Sequence, residues 1–126
     1  MKYMYVGQEK LINKYLGFLV QDYLMSFSIN IVPNTTGIEN PTYIYSYYNS
    51  SGCFSIVEIA QRDEWTCFFS NKPTIDIDTM HKISNHEFLY KHVYSKRQFL
   101  MQIAQYIKKS ISKHNSFWGI SMEVQK

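Results

Sequence analysis

Three of the four histidines invite a functional interpretation first, because His81, His86 and His92 fall within twelve residues; the fourth is His114. Imidazole is a common metal ligand and titrates near neutral pH. A helical zinc motif, however, places two histidines ~4 residues apart on one face, whereas these spacings are five and six residues. We therefore expect surface or hydrogen-bonded histidines, no metal site and no cofactor.

The two cysteines, Cys53 and Cys67, are the next candidates for chemistry. They form no CxxC pair, and each alternates with aromatic residues inside a predicted strand. A nucleophilic thiol needs a nearby histidine and a lowered pKa. We expect two reduced thiols in the core, with a disulfide between them as the lesser alternative. The sequence also lacks GxGxxG, GxxxxGK[ST], GxSxG and HExxH, so we expect no catalytic residue.

Paired carboxylates and clustered tyrosines remain as binding candidates. Asp63 and Glu64 lie in a predicted turn, and Asp76 and Asp78 point the same way if their segment is extended. Such a pair suits docking on a basic partner as well as acid–base chemistry. Four tyrosines occupy residues 43–48, so one face of that strand either presents phenols to solvent or to a partner or packs against the aromatic residues of a neighbouring strand. The predicted partner-binding residues are Tyr45, Tyr47, Asp63, Glu64, Asp76 and Asp78.

Charge is distributed unevenly along the 126 residues, although the formal net charge is only +3. Residues 1–79 carry five basic and eight acidic side chains, and residues 80–126 carry eight basic and two acidic ones. This asymmetry either steers a charged partner or reflects the solvated face of a C-terminal helix. Arginine occurs only at 62 and 97, and the basic residues are separated from the aromatic strands, which argues against nucleic-acid binding.

Hydrophobic periodicity predicts the elements that position these residues. Amphipathic helices are expected at 8–25 and 96–113, the second opening with the capping box of Ser95 and Gln98. Between them we predict strands at 27–31, 43–48, 53–61 and 65–70, followed by an irregular segment at 71–89. The tail, 115–126, is apolar enough to add a strand or to dock on the core.

The predicted fold is one α+β domain over residues 1–126, an antiparallel four- to five-stranded meander flanked by an N-terminal and a C-terminal amphipathic helix. No apolar run approaches the ~20 residues of a membrane helix, and Met1–Val6 has no secretory signal character, so a cytoplasmic location is expected. The predicted core consists of Leu16, Leu19, Ile56, Val57, Phe68, Ile103 and Ile107.

This organisation resembles the single-domain immunity proteins that bacteria encode beside contact-dependent growth inhibition or polymorphic toxins. The resemblance is carried by the opening helix Leu11–Tyr23, the aromatic strands from Tyr43 to Ser70, and the terminal helix from Ser95. The resemblance covers most of the chain and consists of the order of the elements and their residue composition. One departure is the slightly basic total charge, since inhibitors of basic nuclease toxins are usually acidic.

The resemblance implies a toxin-neutralising protein that covers the active site of a cognate toxin, such as a nuclease, or a surface near it. A protein of this kind needs no catalytic residue, only a preformed aromatic patch with a charged rim. The alternative is a small nucleic-acid-binding or regulatory domain, and an enzyme ranks third.

Overall fold

The fold is known from a computed structural model, which describes residues 7–32, 41–59, 64–83 and 96–122. The elements, in chain order, are α1 (Glu9–Leu16), α2 (Phe18–Gln21), β1 (Ser26–Val32), β2 (Thr42–Asn49), β3 (Gly52–Ile59), β4 (Glu64–Ser70), a 3₁₀ turn (Ile77–Thr79), β5 (His81–Lys82), α3 (Lys96–His114), β6 (Ser116–Phe117) and β7 (Ile120–Ser121).

One five-stranded antiparallel sheet, in the order β1-β2-β3-β4-β5, forms the centre of the fold. Each strand pairs with the next along the chain, so the predicted meander and the α+β class are confirmed, and β3 is central as its apolar sequence predicts. The β2–β3 turn is fixed by Asn49, whose Oδ1 accepts hydrogen bonds from the backbone N–H groups of Ser51 (2.8 Å) and Gly52 (3.1 Å). This arrangement is an Asx turn.

The N-terminal helix is shorter and less regular than its periodicity predicts. It is interrupted at Gly17 and ends at Gln21 instead of residue 25. The physical reason for its end is Leu24, which adopts a left-handed conformation (φ 57°). The backbone N–H of Met25 then donates to the carbonyl of Leu19 (2.9 Å), six residues earlier, and this bond closes the end of the helix.

The helices cover one face of the sheet and make the core with it. Tyr47 Oη donates to Asn13 Oδ1, which joins β2 to α1, and the Trp65 and Phe99 rings meet edge to face at 5.9 Å, which joins β4 to α3. The C-terminal helix is amphipathic, as predicted: its buried residues are Phe99, Leu100, Ile103, Ala104, Ile107 and Ile111. α3 ends at His114, one residue beyond the predicted end.

Two of the predicted core residues lie on the other face of the sheet. Leu16, Leu19, Ile56, Ile103 and Ile107 are buried in the core cluster as predicted. Phe68 is only half-buried, and Val57, although buried, lies outside that cluster. Because Cys67 pairs with Ile56 on the helix-covered side, strand alternation turns Phe68 and Val57 away from the helices.

The segment after β4 is irregular from 71 to 76, as predicted, and then forms the 3₁₀ turn and the short strand β5. The remainder of that predicted segment, 84–89, lies outside the described residues, as does Ser95 of the predicted capping box. The tail combines both of its predicted alternatives. β6 and β7 pair as a separate two-stranded hairpin, while Phe117, Ile120 and Met122 are buried in the core. No described helix is long and apolar enough to cross a membrane.

Candidate functional site

A polar groove of about 610 Å³ lies where β4 leaves the sheet and β5 returns to it. The end of β4, the irregular segment and the 3₁₀ turn supply its walls, and β5 closes one side. Most of its side chains are exposed, and both signs of charge are represented. Its lining residues are Ser70, Asn71, Lys72, Thr74, Asp76, Thr79 and His81.

Local hydrogen bonds fix the acidic wall of this groove. Asp76 Oδ1 accepts from the backbone N–H of Asp78 (3.2 Å), and the Asp76 carbonyl accepts from the backbone N–H and the hydroxyl of Thr79, both at 3.0 Å. On the other side, Ser70 Oγ accepts from the backbone N–H of Lys72 (3.1 Å). Because short-range bonds of this kind define turns, the local sequence fixes the Asp76 carboxylate and the backbone of Asp78, and both residues are exposed.

An aromatic shelf borders the groove; we use this name for Trp118, Tyr106, Phe54 and Phe69. The Trp118 ring stacks on Tyr106 at 4.7 Å, on Phe54 at 5.5 Å and on Phe69 at 6.3 Å between centroids. The groove residue His81 lies 5.4 Å from the Phe69 ring. Trp118 is half-buried and Tyr106 is exposed, so this shelf presents aromatic surface beside the polar groove.

The β6–β7 hairpin holds Trp118 in a conformation that large side chains rarely adopt. Its φ is +46°, and that of Gly119 is +78°, as a type I′ turn requires. A left-handed non-glycine residue costs about 1–2 kcal/mol, which stacking on three rings offsets. A Cβ at Gly119 would lie 2.9 Å from Asn71 Oδ1, so the hairpin is in close contact with the groove loop.

The six predicted partner-binding residues do not form one surface. Tyr45 and Tyr47 are completely buried on the helix-covered face, so they lie in the core instead of on a surface that a partner could contact. Burial raises the pKa of Tyr47 well above its usual range. Asp63 lies outside the described residues, and of Glu64 only the backbone, at the start of β4, is described. Asp76 and Asp78 are exposed beside the groove.

The reason for the tyrosine correction is register. Tyr45 is opposite Ile29 and Ile56, and Tyr47 is opposite Phe27 and Phe54, so both belong to the apolar rows under the helices. Only Tyr48 of this cluster lies on the other face, where it is half-buried. The aromatic shelf was missed because its rings come from four distant parts of the chain; the apolar tail containing Trp118 was its single signal in the sequence.

Both cysteines are free, buried thiols, as predicted. Burial raises the pKa of Cys67 far above its usual value. Burial likewise raises the pKa of Cys53, against opposing hydrogen bonds from Ser55 and Ser46. Neither thiol has the lowered pKa of a nucleophile.

We expect both native thiols to react far more slowly with a disulfide reagent than the thiols of the unfolded chain. An unfolded thiol ionises near pH ~8.5 while the folded one stays protonated, so the unfolded state binds fewer protons and stability falls as pH rises above that value. Denaturant titrations at increasing alkaline pH measure this loss of stability. With Cys67→Ala, the free energy of unfolding should fall less steeply as the pH rises. Rapid reaction of the native thiols with the disulfide reagent would contradict the expected slow reaction.

Hydrogen bonding, charge pairing and stacking are the chemistry that the groove and the aromatic shelf offer. Among the residues with described positions, no group of three His, Cys, Asp or Glu side chains lies close enough to hold a metal ion. His81 and His114 are exposed, whereas His86 and His92 lie outside the described ranges. No family model, no curated protein and no solved structure matches this chain.

Proposed function

We propose that this protein is a cytoplasmic immunity protein that neutralises a cognate bacterial toxin by binding to it, without a catalytic centre of its own. The observation that carries the proposal is that exposed Asp76 lines a groove, with exposed Asp78 two residues on, and that the Phe69 ring of the aromatic shelf lies 5.4 Å from the groove residue His81. Tryptophan and tyrosine are enriched in the energetic centres of protein interfaces, and charged residues at their rims. The resemblance in organisation described above supplies the class of partner.

The chemistry of the groove favours a basic protein surface as its partner. In the complex with a toxin that acts on nucleic acid, the carboxylates of Asp76 and Asp78 bind where the phosphates of the nucleic acid otherwise bind. Lys72 and His81 line the same groove, so the groove also offers donors for acidic groups, and the two signs together define one orientation of the partner. Complementary charges accelerate association and suppress wrong partners.

A nucleic-acid-binding or regulatory domain is the second candidate, and a different observation favours it. Tyr106, Lys109 and Lys113 share one face of α3 by their spacing, and Tyr106 stacks on Trp118. Exposed aromatic rings beside lysines suit single-stranded nucleic acid. Two other cations of this helix are placed over aromatic rings, Lys108 at 4.7 Å from Phe18 and Lys96 at 5.7 Å from Trp65. This arrangement interrupts a continuous basic stripe.

Reversing the acidic wall with Asp76→Lys and Asp78→Lys is expected to weaken toxin binding by about tenfold or more, chiefly through slower association, because close charge pairs couple by ~1.5–7 kcal/mol. The measurement is the association rate with the toxin encoded by the neighbouring gene, at low and high salt. Asp76→Asn with Asp78→Asn removes the charge while retaining an Asx-turn acceptor, so its loss of binding separates electrostatics from loop disruption.

The matched control reverses two exposed lysines of α3, Lys108→Glu and Lys109→Glu, and should leave toxin binding within about twofold of the native value. If the lysine-reversal variant no longer neutralises the toxin while the Asp76→Lys, Asp78→Lys variant still does, the acidic wall is the wrong choice of toxin-binding surface. Binding of single-stranded nucleic acid that the control abolishes would favour the second candidate. If neither pair of substitutions alters binding to the neighbouring gene's product, the immunity proposal fails.

A further inference from the structure

Among the residues that the structure describes, the β1 edge of the sheet lacks the features that normally prevent strands of different molecules from pairing. Within the described part of the chain, β1 pairs with β2 along one side only. Its sequence, Ser26–Val32, contains no charged residue and no proline, and its register is free of bulges. Ile31 and Val32 are 51% and 48% exposed. The opposite edge, β5, is two residues long and carries Lys82, two devices that protect edges.

An apolar groove runs beside the helix-facing side of this edge strand. It has a volume of about 260 Å³ and is lined by Asn13, Gly17, Val20, Gln21 and Phe27. Gly17 contributes no side chain, and Val20 is an exposed apolar residue of α2. A strand added alongside β1 would place every second side chain on this side of the sheet, where the groove can receive an aliphatic one.

We infer that a second copy of this chain pairs with β1 in antiparallel orientation, with a two-fold axis at Ile29. Ile29 is the midpoint of the strand, so this register pairs all of its residues. Phe27 then lies opposite Ile31 of the second copy, which brings that exposed side chain onto the groove. Opposite residues of antiparallel strands lie ~4.5–5.5 Å apart between Cα atoms.

The same register provides a partner for Ser28. Its Oγ is the buried side-chain oxygen that has no hydrogen-bond partner among the described residues. Pairing about Ile29 places Asn30 of the second copy opposite Ser28, so a rotation of the Ser28 side chain out of its buried position brings its oxygen to the Asn30 amide, which donates to it. Because a buried acceptor without a hydrogen bond destabilises the single chain, this hydrogen bond favours the paired state.

The occupant is a second copy because β1 is complementary to itself. A two-fold axis perpendicular to the sheet maps each face of the strand onto itself. The apolar face, which carries Phe27, Ile29 and Ile31, therefore meets its own copy. On the other face Ser28 meets Asn30, and Ser26 meets Val32. The absence of charge in β1 removes like-charge repulsion between copies. Since the β5 edge is protected, pairing stops at two chains. The polar groove lies at that far edge, so both copies keep it free.

Sedimentation or light scattering should therefore give twice the monomer mass for the native protein. Ile31→Lys introduces a charge at an exposed position, where the isolated fold tolerates it, and should raise the dimer dissociation constant by about tenfold or more, since it places an ammonium at an apolar groove. Met101→Lys is the matched control, because Met101 is an exposed apolar residue of α3 (43%), and this variant should stay dimeric.

Cysteine cross-linking tests the register independently. Ile29→Cys should form an intermolecular disulfide under oxidising conditions, because the two Cα atoms lie within the ~4.4–6.8 Å that a disulfide spans. Ile31→Cys should not, since its two copies are four positions apart along the paired strands, about 13 Å. A native protein that remains monomeric at every concentration would overturn the inference. So would cross-linking at Ile31 instead of Ile29, or capture at β1 of an extended segment of the toxin by a monomer.

Discussion

Replacing Ile103 by alanine is expected to lower the free energy of unfolding by about 2–5 kcal/mol. Ile103 lies in the middle of the apolar stripe of α3 and is 0% exposed. The substitution removes buried methyl and methylene groups, and the close-packed core relaxes only partly around the space they leave. The measurement is a denaturant titration monitored by tryptophan fluorescence, analysed as a two-state transition.

The neighbouring residue Met101 supplies the control. It is an apolar residue of the same helix but is 43% exposed, so Met101→Ala should change stability by no more than ~0.5 kcal/mol, as at most surface sites. Equal effects of the two substitutions would mean that α3 does not present the Ile103 face to the sheet.

The C-terminal helix shows why much of the fold could be predicted. Its apolar residues recur at helical spacing and its lysines lie off the stripe, so periodicity alone assigns the face that packs on the sheet. The order of the strands followed similarly from runs of alternating or apolar residues separated by turn residues. Asn49 and Gly52 mark one such turn, and the structure places the hairpin there.

Which side of each strand faces the helices could not be predicted, because β2 and β4 carry large aromatic residues at both odd and even positions. Tyr47 and Tyr48 are adjacent, as are Phe68 and Phe69, and nothing local distinguishes the member of each pair that faces the helices. Pairing across strands decides it: Phe54 lies opposite both Tyr47 and Phe69. Tyr45 and Tyr47 are buried for this reason. Asp76 and Asp78 depend on a local turn and are exposed, and their contact with a partner stays a prediction.

A buried carboxyl group ties the N-terminal segment to the sheet. Glu58 is only 1% exposed, and its two carboxyl oxygens accept hydrogen bonds from Tyr45 Oη (2.6 Å) and Trp65 Nε1 (3.2 Å). Tyr45 Oη in turn accepts from the backbone N–H of Gln8 (2.7 Å), just before α1. Since hydrogen-bonded groups in a water-excluded site strengthen one another, this network joins β2, β3 and β4 to the start of the helical layer.

Substituting Glu58 by alanine is therefore expected to cost at least ~3 kcal/mol, because it leaves the Tyr45 hydroxyl and the Trp65 indole without this acceptor and also opens a cavity. Tyr45→Phe removes one donor and leaves the carboxyl group in place, so it should cost about 1–3 kcal/mol. A double-mutant cycle of Tyr45→Phe with Glu58→Gln, measured by denaturant titration, should give a coupling energy of ~0.5–3 kcal/mol, as expected for residues in one hydrogen-bond network. Additive effects would mean that the two side chains act separately. In that case Tyr45 would be buried for its ring alone, and the link from the sheet through its hydroxyl to Gln8 would contribute nothing to holding α1 in place.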